Sequence, residues 1–386
     1  MAISELVKLH RLDDGRSEWQ FLSVPGVAPS AAEIQAAVEK LQAQGVKLGG
    51  MAAAIKAAHP KWQGGLTDAA IRDAVKAVVA AAVARRALTY EIRDASDGKG
   101  MGVFALRGYK AGERIMCERP LVRWSSHEEH VRPADLKKLV SALPNDEQKA
   151  FYALSSTPAH GHAEAIAAGM TDLPGRIWMA NAYPAREIMS DRAPAFSSAV
   201  YAHVCRINHA CNPNCIHTWN ERLQRMTVHA TRAIAAGDEL FLTYLGTDRD
   251  APGRVERQAL LRNHFCFNCA CSLCALPEEH SRASDERRAR LVALCELLHE
   301  ERPGGGGTRN YKQLAKLLDE KLALMRDENV SEAWAHGAMF VAMIKAKECG
   351  SRAAFRNWAE RAKKAAEIAM GADSVYYQAY AEHAQQ

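Results

Sequence analysis

The chain has 386 residues, 48% of them hydrophobic, and a net charge of +5 from 50 basic and 45 acidic side chains, so it is long enough to bury a full core and to divide into two or three modules. Its mean hydropathy is negative and no apolar run approaches the ~18 residues that span a bilayer, so no membrane contact is expected. So small a charge excess gives no case for direct nucleic-acid binding through phosphate neutralisation.

The opening residues Met1-Ala2-Ile3-Ser4-Glu5 carry no basic stretch ahead of an apolar run, so nothing marks the chain for secretion. A reducing compartment is expected, where the ten cysteines read as free thiols or metal ligands rather than disulfides. Residues 1–88 are expected to be a helical N-terminal module. Between 30 and 88 the text is alanine-rich, with Ile34, Val38, Leu41, Ile71, Val75 and Val78 at helical spacing. Gly45, Gly49, Gly50, Gly64 and Gly65 separate its helices, and Pro60 with Trp62 marks a packed turn. From Tyr90 to Pro120 the pattern turns β-like, with Val103-Phe104-Ala105-Leu106 and Arg114-Ile115-Met116-Cys117 flanking a turn at Lys110-Ala111-Gly112. Residues 121–190 return to helical spacing through Leu136, Leu139, Val140 and Leu143, and read as a helical insertion. A second β-like block covers 196–245. Residues 246–277 hold a cysteine cluster, and from 278 to 386 the pattern is helical, broken by Pro303 and the glycines that follow it. Helix pairs such as 331–348 and 352–370 fit a tetratricopeptide-like bundle, although no clean repeat of about 34 residues is visible.

Cys266, Cys269, Cys271 and Cys274 fall within nine residues, and thiolates are soft ligands suited to Zn²⁺. The Cys-x-Cys-x-x-Cys tripod needs a fourth ligand for a tetrahedron. Cys266 would complete a local site. Cys211 would instead reach in from a distant segment and staple the cysteine loop to the β core. Spacing leaves this choice open, and a purely structural zinc knuckle fits the cysteines equally well. Taken singly, Asn208 and His209 fit a turn with a core histidine, Tyr244 a packed strand end, and Gly98-Lys99-Gly100-Met101-Gly102 a glycine turn that matches no nucleotide fingerprint.

Order and combination carry more. Across residues 89–276 the chain resembles the SET-domain lysine methyltransferases: Gly100-Met101-Gly102-Val103-Phe104-Ala105 looks like the opening glycine motif, Asn208-His209-x-Cys211-x-Pro213-Asn214 the signature, and Tyr244 the terminal strand tyrosine. Cys266-Phe267-x-Cys269-x-Cys271-x-x-Cys274 and the helical C-terminus are similar to the SET-and-MYND subgroup and its fungal relatives. No second set of seven or eight zinc ligands occurs between 120 and 200, so no MYND finger, and no partner recruitment through one, is expected there.

The resemblance implies an α+β fold of small β-sheets, with a knot-like signature segment (SET domain 89–245), a post-SET zinc segment (246–277) and a C-terminal helical region. It implies S-adenosylmethionine as cofactor and a structural Zn²⁺. Lys99, Gly100, Met101 and Asn181 would hold the cofactor's amino-acid end, Asn208 and His209 its amine and adenine, and Phe267 would cover the adenine. Tyr244 would be the catalytic residue beside the transferring methyl, with Tyr201 and Phe265 in the substrate lysine channel. The metal set expected is Cys211, Cys269, Cys271 and Cys274. Two departures stand out: Ala210 replaces the usual serine, and Phe265 stands where the subgroup often has tyrosine, which favours di- or trimethylation.

The expected activity is protein-lysine N-methylation of a histone tail or another protein. A catalytically weak SET scaffold is the alternative, and a zinc-stapled interaction protein of coincidental resemblance a third reading. The peptide groove is expected between the helical insertion and the C-terminal helices, which are a further expected partner surface. Nucleus and cytoplasm both remain open, since Arg287-Arg288-Ala289-Arg290 reads as a solvated helix face.

Overall fold

The computed structural model describes residues 7–11, 17–21, 29–43, 50–62, 67, 69–71, 73–75, 89–95, 98–126, 131–156, 169–185, 196–245, 253–302 and 306–385. The expectations placed on Gly45, Gly49, Gly64, Gly65, Val78 and the run 303–305 lie outside these residues. The chain divides into two compact units, Met1–Leu88 and Thr89–Gln386.

The first unit begins with an antiparallel hairpin, β1 (Val7–Arg11) and β2 (Ser17–Phe21), which corrects the expectation of a purely helical module. Helices α1 (Ala31–Ala43) and α2 (Met51–Ala58) follow. Their apolar positions meet in a small core of Ile34, Val38, Met51, Ile55 and Ile71. Pro60–Trp62 forms one 3₁₀ turn, with the Trp62 ring stacked on His59 at 4.0 Å.

The second unit opens with β3 (Tyr90–Asp94) and β4 (Met101–Ala105), an antiparallel pair. β5 (Arg114–Glu118) joins β10 (Cys215–Asn220) and β11 (Arg225–Ala230) in a sheet of order β10-β11-β5. β6 (Val122–Ser126), β7 (Tyr183–Pro184) and β8 (Phe196–Val200) form another, with β8 central. The insertion therefore begins in strand and returns to strand at Tyr183–Pro184, because Val122 and Tyr183 find partners on β8 that their local sequence does not reveal. Its helices are α3 (Pro133–Ser141), α4 (Asn145–Tyr152) and α5 (Leu173–Asn181). They share a core of Leu136, Val140, Phe151 and Ile177, and Asp172 caps α5 by accepting from the Gly175 N–H at 2.9 Å.

β9 (Asn208–His209) and β12 (Phe241–Leu242) are short and pair in parallel. Between them the chain runs out through the β10-β11 hairpin and returns alongside β4, where the Leu240 N–H meets the Val103 carbonyl at 2.7 Å. Most of the core around these strands is fully buried, including Val103, Ile207, Val228, Leu240 and Leu242.

The remaining helices are α6 (Arg254–Phe265), α7 (Glu278–Glu300), α8 (Tyr311–Asp327), α9 (His336–Glu348), α10 (Arg352–Met370) and α11 (Val375–Ala384). Asn310 and Gln313 close a reciprocal capping box at the start of α8. Along α10, Phe355, Trp358, Ala359, Ala362, Ala365, Ala366 and Ala369 recur at helical spacing and are buried. The alanines among them let neighbouring helices approach closely. The end of α10 lies on the β10-β11 hairpin, where Ile216 packs with Ala369 and Met370. Among the described residues, no helix is long and apolar enough to cross a membrane.

Candidate functional site

The parallel pair β9-β12 brings the signature residues together. Asn208 lies opposite Phe241 and His209 opposite Leu242. The Ala210 N–H donates to the Leu242 carbonyl at 2.9 Å, so the main chain holds the turn without a polar side chain at this position. Asn214 fixes the returning strand: its Nδ2 donates to the Glu239 carbonyl at 2.9 Å and its Oδ1 accepts from the Phe241 N–H at 2.7 Å.

Asn208 Nδ2 donates to Glu239 Oε1 at 2.8 Å and to the Met101 carbonyl at 3.3 Å. Glu239 also pairs with Lys99 Nζ at 3.8 Å. Lys99 and Asn208 thus converge on one carboxylate, and the Met101 carbonyl shares the Asn208 amide. Gly100 has φ +74°, a conformation L side chains rarely adopt. A Cβ on Gly102 would lie 2.6 Å from Glu239 Oε1 and 2.9 Å from the Ala95 Cβ, so this close approach requires glycine.

His209 is buried and bonded at both nitrogens. Its Nδ1 accepts from the Tyr244 N–H at 2.9 Å, and its Nε2 faces the Cys211 sulfur at 3.3 Å. Accepting at Nδ1 assigns the proton of the neutral ring to Nε2. Burial lowers the His209 pKa to about 4, against an upward pull from Cys271, so the ring is neutral near pH 7 and its Nε2–H points at sulfur. The Tyr244 hydroxyl donates to the Ile207 carbonyl at 2.9 Å, and burial pushes its pKa above the usual phenol range.

Aromatic rings surround this pair. Tyr244 lies 5.0 Å from Phe265 and 6.4 Å from Phe267, while His209 lies 5.3 Å from Tyr244 and 6.1 Å from Phe267 between ring centroids. Tyr201 is fully buried and its hydroxyl has no hydrogen-bond partner among the described residues. Its ring contact runs to Tyr183 at 6.5 Å, and burial and then the charge of Tyr244 raise the Tyr183 pKa. Tyr183, which sequence reasoning missed, packs beside Tyr201 and His217. Asn181 stands one step further back. Its Nδ2 donates to the Ser155 and Ile177 carbonyls, both at 2.7 Å, and its own carbonyl faces the Cys205 thiol at 3.3 Å.

None of the ten cysteines is in a disulfide, and the sulfurs of Cys211, Cys269, Cys271 and Cys274 lie within 4.8 Å of one another. Cys211 is 3.9 Å from Cys269 and 3.5 Å from Cys274, against roughly 3.8 Å between thiolates of a tetrahedral zinc with ~2.3 Å bonds. Soft donors at this spacing fit Zn²⁺. Cys266 is exposed and outside the group: it caps α6 with φ 59°, a left-handed turn that sends the chain back past α6. Gln258 of α6 then grips the loop, donating to the Cys269 carbonyl at 2.6 Å and accepting from its N–H at 3.0 Å. Four sulfurs at this spacing, three of them buried, make a donor set for one soft cation.

Three further residues escaped the sequence reading. Glu239 joins Asn208 to Lys99, Gln258 holds the cysteine loop, and Glu118 accepts from the His203 and Val204 N–H groups at 2.9 Å, capping the 3₁₀ turn that leads into Ile207. Glu239 alone had a signal, lying in the β-like block 196–245 just ahead of Tyr244.

Comparison with protein families matches residues 100–245 to the SET domain model. The chain carries a SET domain. Over 195 residues it is 35% identical to the histone-lysine N-methyltransferase set5 of Schizosaccharomyces pombe, covering 50% of this chain and 53% of that protein. It is 27% identical to mouse histone-lysine N-methyltransferase SMYD3 over 42% of this chain and 36% of that protein. To mouse N-lysine methyltransferase SMYD2 it is 28% identical, over 27% of this chain and 23% of that protein. The matched parts amount to about half or less of these relatives. After the SET domain of this chain, with its small sheets, comes a helical C-terminal region, and the four-cysteine group joins the segment just after β9 to the loop after α6.

Proposed function

We propose that this protein is an S-adenosylmethionine-dependent protein-lysine N-methyltransferase acting on a histone or another protein. The observation that carries this reading is the convergence of Asn208, His209, Tyr244 and Phe267 on the β9-β12 pair, beside a four-cysteine group, within a SET domain. Relatives named as lysine methyltransferases support it.

The cofactor supplies an electrophilic sulfonium methyl when bound. Lys99, Gly100 and Met101 would hold its amino-acid end with main-chain groups, and Asn181 would support them. Asn208 has Nδ2 engaged by Glu239 and Met101, and its Oδ1 would be the acceptor for an ammonium. His209 serves through its main chain while its ring is occupied at both nitrogens. Phe267, on the cysteine loop, would cover the adenine, a role that needs zinc to hold the loop in place. We read Cys211, Cys269, Cys271 and Cys274 as a structural post-SET zinc site.

The substrate lysine must be neutral for its lone pair to attack, yet its solution pKa is about 10.4. Tyr201, Tyr183, Tyr244 and Phe265 would form a desolvating channel that lowers it. The Tyr244 hydroxyl is fixed on the Ile207 carbonyl and leaves oxygen lone pairs to orient the methyl and the amine, which is electrostatic positioning rather than proton abstraction. Phe265 lacks a hydroxyl to restrain the amine, so repeated transfer to di- or trimethyl-lysine is expected. Helix-on-helix packing across α9, α10 and α11 supports a tetratricopeptide-like C-terminal region that binds a partner protein.

The test is incubation of the zinc-loaded protein with isotopically labelled cofactor and histones or mixed cellular protein, read by mass spectrometry at lysine. Dimethyl- or trimethyl-lysine that disappears with Tyr244→Phe supports the reading. Label on no lysine of any protein offered contradicts it.

A further inference from the structure

α7 and α8 share a core in the helical C-terminal region, built from Leu291 and Leu298 of the first and Leu314, Leu318, Leu322 and Met325 of the second. Helical spacing gives α8 this stripe: four of its five buried residues are those apolar ones, and the fifth is Lys321. Lys321 is 4% exposed, in a slot where packing alone would favour another leucine. Its Nζ stands 2.8 Å from the sulfur of Cys295 on α7. Cys295 is partly exposed, is in no disulfide and lies outside the four-cysteine group.

Two nucleophiles on different helices are therefore held closer than the roughly 3–3.5 Å at which reacting atoms are poised. The sulfur meets solvent and the amine does not. A small oxidant from solvent thus reaches the thiol first, while the amine waits behind it, shielded from competing reactions.

We propose that Cys295 and Lys321 form a peroxide-responsive modification site, in which oxidation of the thiol is captured by the amine as a covalent S–N bond between α7 and α8. In the first step the Cys295 thiolate attacks one oxygen of hydrogen peroxide. The O–O bond breaks, sulfur loses two electrons and becomes a sulfenic acid, and the peroxide is reduced to water. In the second step Lys321 Nζ, as the free amine, attacks that sulfur. The S–N bond forms, the S–O bond breaks, and hydroxide leaves with a proton from the amine as water. One thiol, one amine and one peroxide thus give one sulfenamide and two waters, the condensation that sulfenic acids undergo with main-chain nitrogen. Two equivalents of a thiol reductant reverse it, returning the thiol and the amine and leaving the reductant as its disulfide. The site stands apart from the methyltransferase and zinc readings and depends on neither.

The test treats the full native chain with hydrogen peroxide, blocks remaining thiols by alkylation, digests the protein and maps its peptides by mass spectrometry. The expected product is a linked pair of peptides carrying Cys295 and Lys321, lighter by two hydrogens than the sum of the reduced peptides and released by dithiothreitol. Cys295→Ser and Lys321→Arg should each give none of it. In Lys321→Arg the sulfur, with no amine to capture it, should go on to sulfinic acid. Cys295 recovered from the native chain as free thiol, as sulfinic acid or in a disulfide, with the Lys321 peptide unlinked, overturns the proposal. So does a link that dithiothreitol leaves intact, or one that forms equally in Lys321→Arg. Should either variant fail to fold, the native map decides, since it names the two linked residues directly.

Discussion

Tyr244 is held at three points: its N–H on His209, its hydroxyl on Ile207, and its ring against Phe265 and Phe267. Tyr244→Phe keeps the last two rings and the main-chain bond and removes one hydroxyl, so folding should change by only about 1 kcal/mol. Turnover should fall by roughly 10²- to 10³-fold, the cost of deleting one oriented polar group at a transition state; stopped-time methyl transfer checks this, and unchanged turnover would sink the role. Phe265→Tyr should shift the product toward monomethyl-lysine, read by mass spectrometry of the modified protein, because the new hydroxyl beside Tyr244 restrains the amine. Asn208, His209, Tyr244 and the cysteines were legible because their chemistry sits in side-chain identity at fixed spacing. Glu118, Gln258 and Glu239 were not. Each bonds a main-chain group or a partner far along the chain, and such bonds leave no periodicity in the sequence.

Two elements set the geometry of the site, the β4 strand and the α6-cysteine loop. Gly102 of β4 is pressed against Glu239, Ala95 and Asn208, and Gly102→Ala forces all three to move. Overpacking of this kind costs about 1–3 kcal/mol, so the variant should melt earlier and bind S-adenosylmethionine more weakly; calorimetry showing neither change would mean that the glycine is incidental. The helices of the insertion and the C-terminal region were legible from apolar spacing, as along α10. β1, β2, β6 and β7 were hidden, since a strand is decided by the partner that pairs with it, and Val122 and Tyr183 have theirs on β8. The αL cap at Cys266 was hidden too, and it settles why this cysteine points away while Cys211 completes the group.

At the scale of the second unit, the helices after α6 brace the site. Asn212 Nδ2 reaches the Glu328 carbonyl at 3.2 Å, and Thr218 Oγ1 reaches the Ala369 carbonyl at 3.2 Å. The Glu328 carboxylate is itself buried between Arg287 and Arg288. Arg114 and Asp373 pair beside His229, joining β5 and β11 to the start of α11. Burial lowers the pKa of His217, His229 and His336 to about 4 each, against about 6.5 in an unfolded chain. Between those values the unfolded state binds more protons, so stability rises with pH. The stabilisation is complete above about pH 6.5 and is lost as pH falls toward 4. Melting temperature should therefore drop steadily across that window, and a flat profile would show that these rings are reached by water. That bracing was only partly legible: helix existence showed in the spacing, but its contacts with the signature loop join residues more than a hundred positions apart.

The central claim is a cofactor site built by Asn208, His209 and Phe267 on a zinc-stapled loop, and calorimetric titration of the zinc-loaded protein with S-adenosylmethionine tests it most directly. The account predicts saturable binding that weakens in Phe267→Ala and after zinc is removed by a chelator. Binding that is absent, or unaffected by either change, would contradict it.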